Sequence, residues 1–211
     1  MAKHAQMIIL GCRPKDLPSI LQTPDLPQQF AGKSIVSLLA GVPSKVVREQ
    51  IACNHGPKDA SVVLVQPSIG AKFAASVSVL AAPESADDSA SLAEEVFAQV
   101  GSVVRVPEDL LTKGIAVNAV GHALAIQAVD AMTDACVAEG VPRDNAIQLA
   151  QAYLKSGASC MESGMSPEEL KAAVSTPSGV TLNAVVNLEK EGVRRGVGQV
   201  MRDAIRYADN M

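Results

Sequence analysis

A short segment near the C-terminus combines hydroxyl side chains with small residues immediately before a helical pattern. Residues 175–181 read STPSGVT. The first turn of a helix has backbone N–H groups without helical partners, and the helix dipole places partial positive charge there. With neutral hydroxyl donors beside them, these groups predict a binding site for a small carboxylate or an imine.

Composition and charge exclude several classes of function. Aromatic residues make up 2% of the 211 residues and the net charge is −4, which argues against stacking platforms and basic surfaces for nucleic acid. The three histidines and four cysteines lack metal-ligand spacing, so we expect no metal site and reduced thiols. The sequence shows neither a signal segment nor an apolar run near the ~18 residues of a membrane span. A soluble, cytoplasmic protein without membrane contacts is expected.

The first half of the chain alternates strand-like and helix-like patterns. We expect Ser44 to cap the second helix, and Leu92, Ala93 and Val96 to form the inner face of the third. The first strand is a continuous apolar run, as expected for a strand covered on both faces. The alternation favours an α/β layer with a mostly parallel sheet. The predicted strands are 7–10, 34–39, 61–66, 76–82 and 102–106, and the predicted helices are 15–21, 44–51 and 89–100.

The second half reads as helical throughout. From Pro107 onward no strand-like alternation occurs, and residues 108–140 form one long helical pattern that is apolar almost all round. Such a helix must be buried on several sides, and a partner subunit would supply those sides. Further on, Ser166 and Glu169 have the spacing of a capping box. We therefore predict two domains, 1–106 and 107–211.

The order and spacing of these pieces resemble the pyrroline-5-carboxylate reductase family, whose members reduce a cyclic imine to proline with a nicotinamide cofactor. The resemblance covers nearly the whole chain. It implies a partial Rossmann-like α/β layer lacking its first strands, followed by an all-helical dimerisation domain. The motifs that carry it are IILGCRP (8–14), SLLAGV (37–42), EDLL (108–111), GVPR (140–143), TPSGVT (176–181) and LE (188–189) with Gly192.

The resemblance assigns roles within the hydroxyl-rich segment. Thr181 matches the family's catalytic hydroxyl beside the substrate ring nitrogen, where it would orient the imine or relay its proton. Thr176, Ser178 and Gly179, with the backbone N–H groups of residues 178–181, would hold the substrate carboxylate. From the residues alone, Thr181 can equally be the N-terminal cap of the following helix, and the segment a tight turn between helices.

The resemblance also implies NADPH or NADH as cofactor. Arg13 and Pro14 follow the first strand and Ser68 lies in the loop after the third, and ligands bind beyond the carboxyl ends of parallel strands. A solvated arginine and an ordinary turn serine are the alternatives. Met1 matches a point several elements into the family's nucleotide-binding domain, so we expect the glycine-rich phosphate loop to be missing. The Gly-Val-Gly at 196–198 falls within a predicted helix and does not replace that loop.

Three functions therefore stay open. The first is an NADPH-dependent reductase acting on 1-pyrroline-5-carboxylate or a related imino acid. The second is a catalytically inactive dimeric scaffold or regulatory descendant, favoured by departures from the family pattern at residues 66–70 and 118–124. The third is an altered enzyme that works without a dinucleotide. In each case we expect a homodimer or higher homo-oligomer formed through residues 115–140 and 166–211.

Overall fold

The computed structural model describes residues 4–210, and the chain divides into two compact units. The first comprises the residues up to Asn118 together with those from Tyr207 onward, and the second is Ala119–Arg206. This division lies inside one continuous helix. The domain boundary near Pro107 stays a prediction.

A five-stranded sheet forms the centre of the first unit. Its strands lie side by side in chain order, and β3 pairs antiparallel with β4 while the other neighbours pair in parallel. The predicted mostly parallel sheet is therefore confirmed. The strands are β1 (Met7–Leu10), β2 (Ser34–Ser37), β3 (Ser61–Gln66), β4 (Ser76–Ala81) and β5 (Gly101–Arg105).

Buried side chains alternate between the two faces of the central strands. Ile35 and Val62 pair across β2 and β3 and join one core cluster, whereas their neighbours Val36 and Val63 join the other. Each of these side chains is fully buried, and burial of such a side chain contributes about 1.5–3 kcal/mol. Covering both faces requires helices on both sides, which explains the apolar runs in these strands.

Three helices of the first unit lie between the strands in sequence: α1 (Leu17–Leu21), α2 (Ser44–Cys53) and α3 (Asp87–Ala98). The inner face of α3 is formed by Ala90, Ala93 and Phe97, and Val96 is 41% exposed. The prediction that Val96 points inward is wrong. The large ring of the adjacent Phe97 fills the helical stripe that faces the sheet.

The first strand is less covered than its apolar sequence indicated. Ile9 is 47% exposed, although Leu10 is buried. The expected cover on both faces of β1 is therefore wrong. β1 lies at the edge of the sheet, and α3, which covers the second face, packs against β2 to β5.

The rest of the described chain is helical, as predicted. The capping box is confirmed at the start of α6: Ser166 Oγ accepts the Glu169 N–H at 3.2 Å, and a Glu169 carboxylate oxygen accepts the Ser166 N–H at 2.8 Å. Hydrogen bonding of the Glu169 carboxylate by the Ser166 backbone N–H, and to a lesser extent by the Ser166 side chain, lowers the pKa of Glu169. The helices are α4 (Leu111–Ala138), α5 (Arg143–Glu162), α6 (Pro167–Val174), α7 (Val180–Lys190) and α8 (Val193–Asp209).

The long fourth helix is apolar and largely uncovered within one chain. The segment Glu108–Ala138 has a mean hydropathy of 1.3 in its most apolar window, of which 11% is buried. By length and composition this helix could cross a membrane, so the expectation that no segment comes near that criterion is wrong. A helix packed inside an assembly meets the same criterion, so a single such helix is weak evidence for a membrane span.

Replacing Ser166 with alanine should remove the side-chain cap of α6. We expect the free energy of unfolding to fall by about 1 kcal/mol. Because the pKa of Glu169 is lowered, its contribution is present above the usual glutamate pKa of 4.5 and is lost as the pH falls through the folded-state value. Thermal unfolding between pH 7 and pH 3 measures both effects.

The Ser166→Ala variant should lose less stability on acidification than the parent. Glu168→Gln, which leaves the cap intact, should keep the parent's pH dependence. An unchanged acid response in Ser166→Ala would contradict this account.

Candidate functional site

The hydroxyl-rich segment forms a tight turn between α6 and α7. Ser178 has a φ of 58°, the left-handed conformation that side chains other than glycine adopt rarely. The Gly179 N–H donates to the Thr176 carbonyl oxygen at 2.9 Å and closes the turn. The predicted substrate residues Thr176, Ser178, Gly179 and Thr181 are thereby brought together at one helix end.

The N-terminal end of α7 is open. Gly179 is its N-cap residue, no side chain caps the first turn, and the first helical bond runs from the Asn183 N–H to the Gly179 carbonyl oxygen at 3.2 Å. The N–H groups of Val180, Thr181 and Leu182 precede that bond and so have no acceptor within the helix. They can bind an anion with the help of the helix dipole. The Gly179 N–H, which was expected to join them, is engaged with Thr176.

Thr181 is the second residue of α7, and its side chain is exposed. The alternative that Thr181 caps the helix is wrong, because Gly179 occupies the cap position. Next to the turn, Ser175 Oγ is buried and has no hydrogen-bond partner among the described residues. The turn therefore presents the hydroxyls of Thr176, Ser178 and Thr181 to solvent and leaves a buried polar atom, on Ser175, without a partner among the described residues.

In the first unit, Arg13 and Pro14 lie just beyond the carboxyl end of β1. Pro14 begins a short 3-10 helix, Pro14–Asp16, whose N-cap residue is Arg13. The Arg13 guanidinium is 72% exposed and pairs with Asp16 at 2.7 Å. An exposed pair of this kind contributes little to stability. Arg13 therefore remains accessible to a ligand at this edge of the sheet.

Ser68 lies beyond the carboxyl end of β3 and is 7% exposed. Its Oγ accepts the Val77 N–H at 3.0 Å and the Gly70 N–H at 3.3 Å, and its own N–H donates to Ser76 Oγ at 3.1 Å. These bonds tie the loop after β3 to the start of β4. They favour the turn alternative over a cofactor contact for Ser68.

A contact that the sequence did not predict joins the start of α2 to the start of the helical half. The Ser44 N–H donates to Glu108 Oε1 at 2.9 Å, and Ser44 Oγ donates to Glu108 Oε2 at 2.7 Å. The prediction that Ser44 caps α2 is wrong: Pro43 is the N-cap residue, and the carboxylate of Glu108 takes the place of a local cap. The two residues are 64 positions apart, so no local pattern could reveal the pair.

This contact lies on a cavity of about 290 Å³ beyond the carboxyl end of β2. The turn after β2 forms one wall, and Glu108, Asp109 and the first turns of α4 form another. None of the lining residues is basic. They are Gly41, Val42, Pro43, Leu64, Glu108, Asp109, Leu111, Thr112 and Ile115. Across residues 4–210, no group of three histidine, cysteine or acidic side chains is placed to hold a metal ion.

Gly179 is required by the geometry of the turn. A Cβ atom at this position would lie 3.0 Å from the Thr176 carbonyl oxygen and closer still to Thr176 Oγ1. We expect Gly179→Ala to force Thr176 from its rotamer at a cost of about 0.5–1.5 kcal/mol, measured by thermal unfolding. Gly157→Ala in α5 is the matched control, because nothing lies within 4 Å of its added Cβ. There the higher helix propensity of alanine should raise stability. Equal stabilisation by both substitutions would show that the turn tolerates a side chain.

Comparison with known proteins identifies relatives over nearly all of the chain. Residues 108–211 match the family model for pyrroline-5-carboxylate reductase dimerisation. The pyrroline-5-carboxylate reductase of Methanosarcina acetivorans is 31% identical over 197 residues, which are 92% of this chain and 70% of that protein. The enzyme of the same name from Schizosaccharomyces pombe is 26% identical over 212 residues, covering 100% of this chain and 73% of the relative.

Solved structures share the fold. The pyrroline-5-carboxylate reductase of Coxiella burnetii superposes with a TM-score of 0.86 at 24% identity, covering 99% of this chain and 77% of that one. The pyrroline carboxylate reductase of Plasmodium falciparum, solved with NADP bound, gives a TM-score of 0.77 at 18% identity, covering 98% and 77%. The mixed sheet followed by a helical half is thus the architecture of these enzymes. On the sequence match to its relatives, the chain belongs to the pyrroline-5-carboxylate reductase family.

Proposed function

We propose that this protein reduces the C=N bond of 1-pyrroline-5-carboxylate, or of a related cyclic imino acid, to give proline or its analogue. The observation that carries the proposal is the 31% identity to a reductase of that name over 92% of this chain. The uncapped end of α7, which lies within the matched residues, supports it. A site for a small carboxylate is what such a substrate needs.

In the proposed reaction the turn binds and orients the imino acid. The substrate carboxylate accepts hydrogen bonds from the first N–H groups of α7 and from the Thr176 hydroxyl, and the helix dipole stabilises its charge. The Thr181 hydroxyl donates a hydrogen bond to the imine nitrogen and relays to it a proton from solvent, while the adjacent carbon gains a hydride. Ser178, held in the left-handed conformation, sets the direction in which the N–H groups point.

The proposed hydride donor is NADPH, and a nicotinamide supplies the two electrons and the hydrogen that the imine carbon gains. The presence of NADP in the Plasmodium falciparum structure supports the phosphorylated form over NADH. In the first unit, the exposed Arg13 beyond β1 is a cation that a phosphate group can reach, with Pro14 beside it. The uncharged or acidic lining of the 290 Å³ cavity suits the ring end of such a cofactor better than its phosphates.

Two measurements on the purified chain test this function against the inactive scaffold. NADPH fluorescence is titrated with protein, and absorbance of NADPH is followed after 1-pyrroline-5-carboxylate is added. A reductase binds NADPH and oxidises it only in the presence of the imine. If the folded, dimeric protein neither binds NADPH nor oxidises it after 1-pyrroline-5-carboxylate is added, the scaffold function is supported and the reductase function is refuted.

Thr181→Ala should separate catalysis from folding. Because the Thr181 side chain is exposed and caps nothing, its loss should leave the thermal unfolding midpoint unchanged. Loss of a proton-relaying or orienting hydroxyl should lower kcat/KM for the imine by a factor of about 10²–10⁴. Thr181→Ser keeps the hydroxyl and should retain most of the activity. If Thr181→Ser is as inactive as Thr181→Ala, the hydroxyl at position 181 is not the group required for catalysis.

We further propose that the chain works as a homodimer whose helical units cover one another. Ile126 on α4 is 70% exposed in the single chain. Ile126→Glu should place a charge in the covered surface and weaken association by about 2 kcal/mol or more, measured by sedimentation velocity. Gln28→Glu adds the same charge at an exposed position of the first unit, outside the proposed interface, and is the control. A full dimer in Ile126→Glu would place the interface elsewhere.

A further inference from the structure

We infer that Glu108 is a positioning residue for the nicotinamide end of the cofactor, and that it acts through its two hydrogen bonds to Ser44. The inference rests on the proposed function. It assigns a role to the first residue of the EDLL motif (108–111), to which the resemblance gave none.

In the Ser44–Glu108 contact, a side chain distant in sequence caps the N-terminus of α2. Ser44 is the first residue of α2 and is 2% exposed, so its N–H and hydroxyl need partners within the protein. The N-cap residue, Pro43, has no side chain that can accept a bond. Both oxygens of the Glu108 carboxylate take that role, where the positive end of the α2 dipole favours a negative charge.

The same pair holds the two walls of the cavity together. The turn after β2, residues 41–43, leads directly into Ser44, and the 3-10 helix Glu108–Leu110 leads directly into α4. Both segments line the cavity, with Leu64 of β3 between them. Gly41 has a φ of 73°, so the turn depends on a glycine to reverse direction before it reaches Ser44. Without the contact, the width of the cavity would no longer be fixed on this side.

The negative charge on the Glu108 side of the cavity determines which ligand groups can bind there. Glu108 and Asp109 are acidic, and the other lining residues are uncharged. A phosphate would be repelled, whereas a neutral or cationic ring would not. The nicotinamide ring is neutral when reduced and cationic when oxidised, so the carboxylate favours the oxidised form. Removal of one partly screened carboxylate charge from the cavity wall should weaken binding of a cationic ring about fivefold.

The test compares the affinities of NADP⁺ and NADPH for four forms of the full chain: the parent, Glu108→Gln, Ser44→Ala and the double variant. Calorimetry gives each dissociation constant, and thermal unfolding monitors the fold. Glu49→Gln, an exposed position on α2 paired with Lys45, removes the same charge away from the cavity. It is expected to leave both affinities unchanged.

We expect Ser44→Ala, which keeps the carboxylate and its bond to the backbone N–H but removes the hydroxyl bond, to weaken both cofactor forms by a similar factor of about 5, the effect of losing one hydrogen bond. Glu108→Gln should weaken NADP⁺ about fivefold more than NADPH, because it also removes the charge. The double variant should bind no worse than Glu108→Gln, since the two side chains act through one contact. A merely structural role would lower stability without separating the two cofactor forms.

Four results would overturn the inference. If the parent binds NADPH and Glu108→Gln binds both forms as the parent does, Glu108 has no role at the cofactor, and the proposed reductase stands without it. If Glu108→Gln weakens both forms equally, the charge preference is refuted. If the parent binds neither form, the inference fails together with the cofactor part of the proposed function. Should Glu108→Gln fail to fold, equal affinities in Ser44→Ala and the parent would refute the role of the pair.

Discussion

The helical unit exposes more apolar surface than it can bury by itself, and the rest of the proposed biology depends on this constraint. Within residues 119–206, burial of apolar side chains is confined to Val120, Ala146 and Ala150. Large side chains such as Ile126, Tyr153 and Leu188 remain half or more exposed. Apolar patches of that extent are rare on monomeric proteins. The match of residues 108–211 to the dimerisation family supports assembly of the chain with copies of itself, and in the dimer proposed above a second copy provides the missing cover.

The first unit, by contrast, has a core of its own, and hydroxyl groups rather than charges organise its strand ends. Ser34 and Ser61, the first residues of two neighbouring strands, both donate to Ser89 Oγ on α3 at 2.8 Å. Within β4, Ser76 Oγ and Ser78 Oγ lie 3.1 Å apart. Short hydroxyls satisfy buried backbone and side-chain groups without the desolvation cost of a charge. These hydroxyl bonds add to the backbone ladders, which set the register of the strands.

Features that depend on local sequence could be predicted, and those that depend on distant residues could not. Strand positions followed from runs such as 61–66, and the Ser166 capping box followed from a three-residue spacing. The exposure of Ile9 and the partner of Ser44 depend on which elements lie nearby in space, so periodicity could not show them. The turn at residues 175–181 could be predicted for the same local reason, because these residues make their own geometry. The Glu108 contact joins residues 64 positions apart and needed the fold.

The backbone at Ser178 limits how this protein can diverge. A serine at φ 58° occupies a region that glycine enters freely and that asparagine and aspartate tolerate. Valine, isoleucine and threonine are excluded there by clashes of their branched Cβ atoms with the main chain. Substitution at position 178, just before α7, is therefore limited to glycine and a few short side chains, and this limit does not depend on selection for catalysis. A descendant that had lost catalytic activity would keep the conformation of this turn even when the Thr181 hydroxyl was no longer needed.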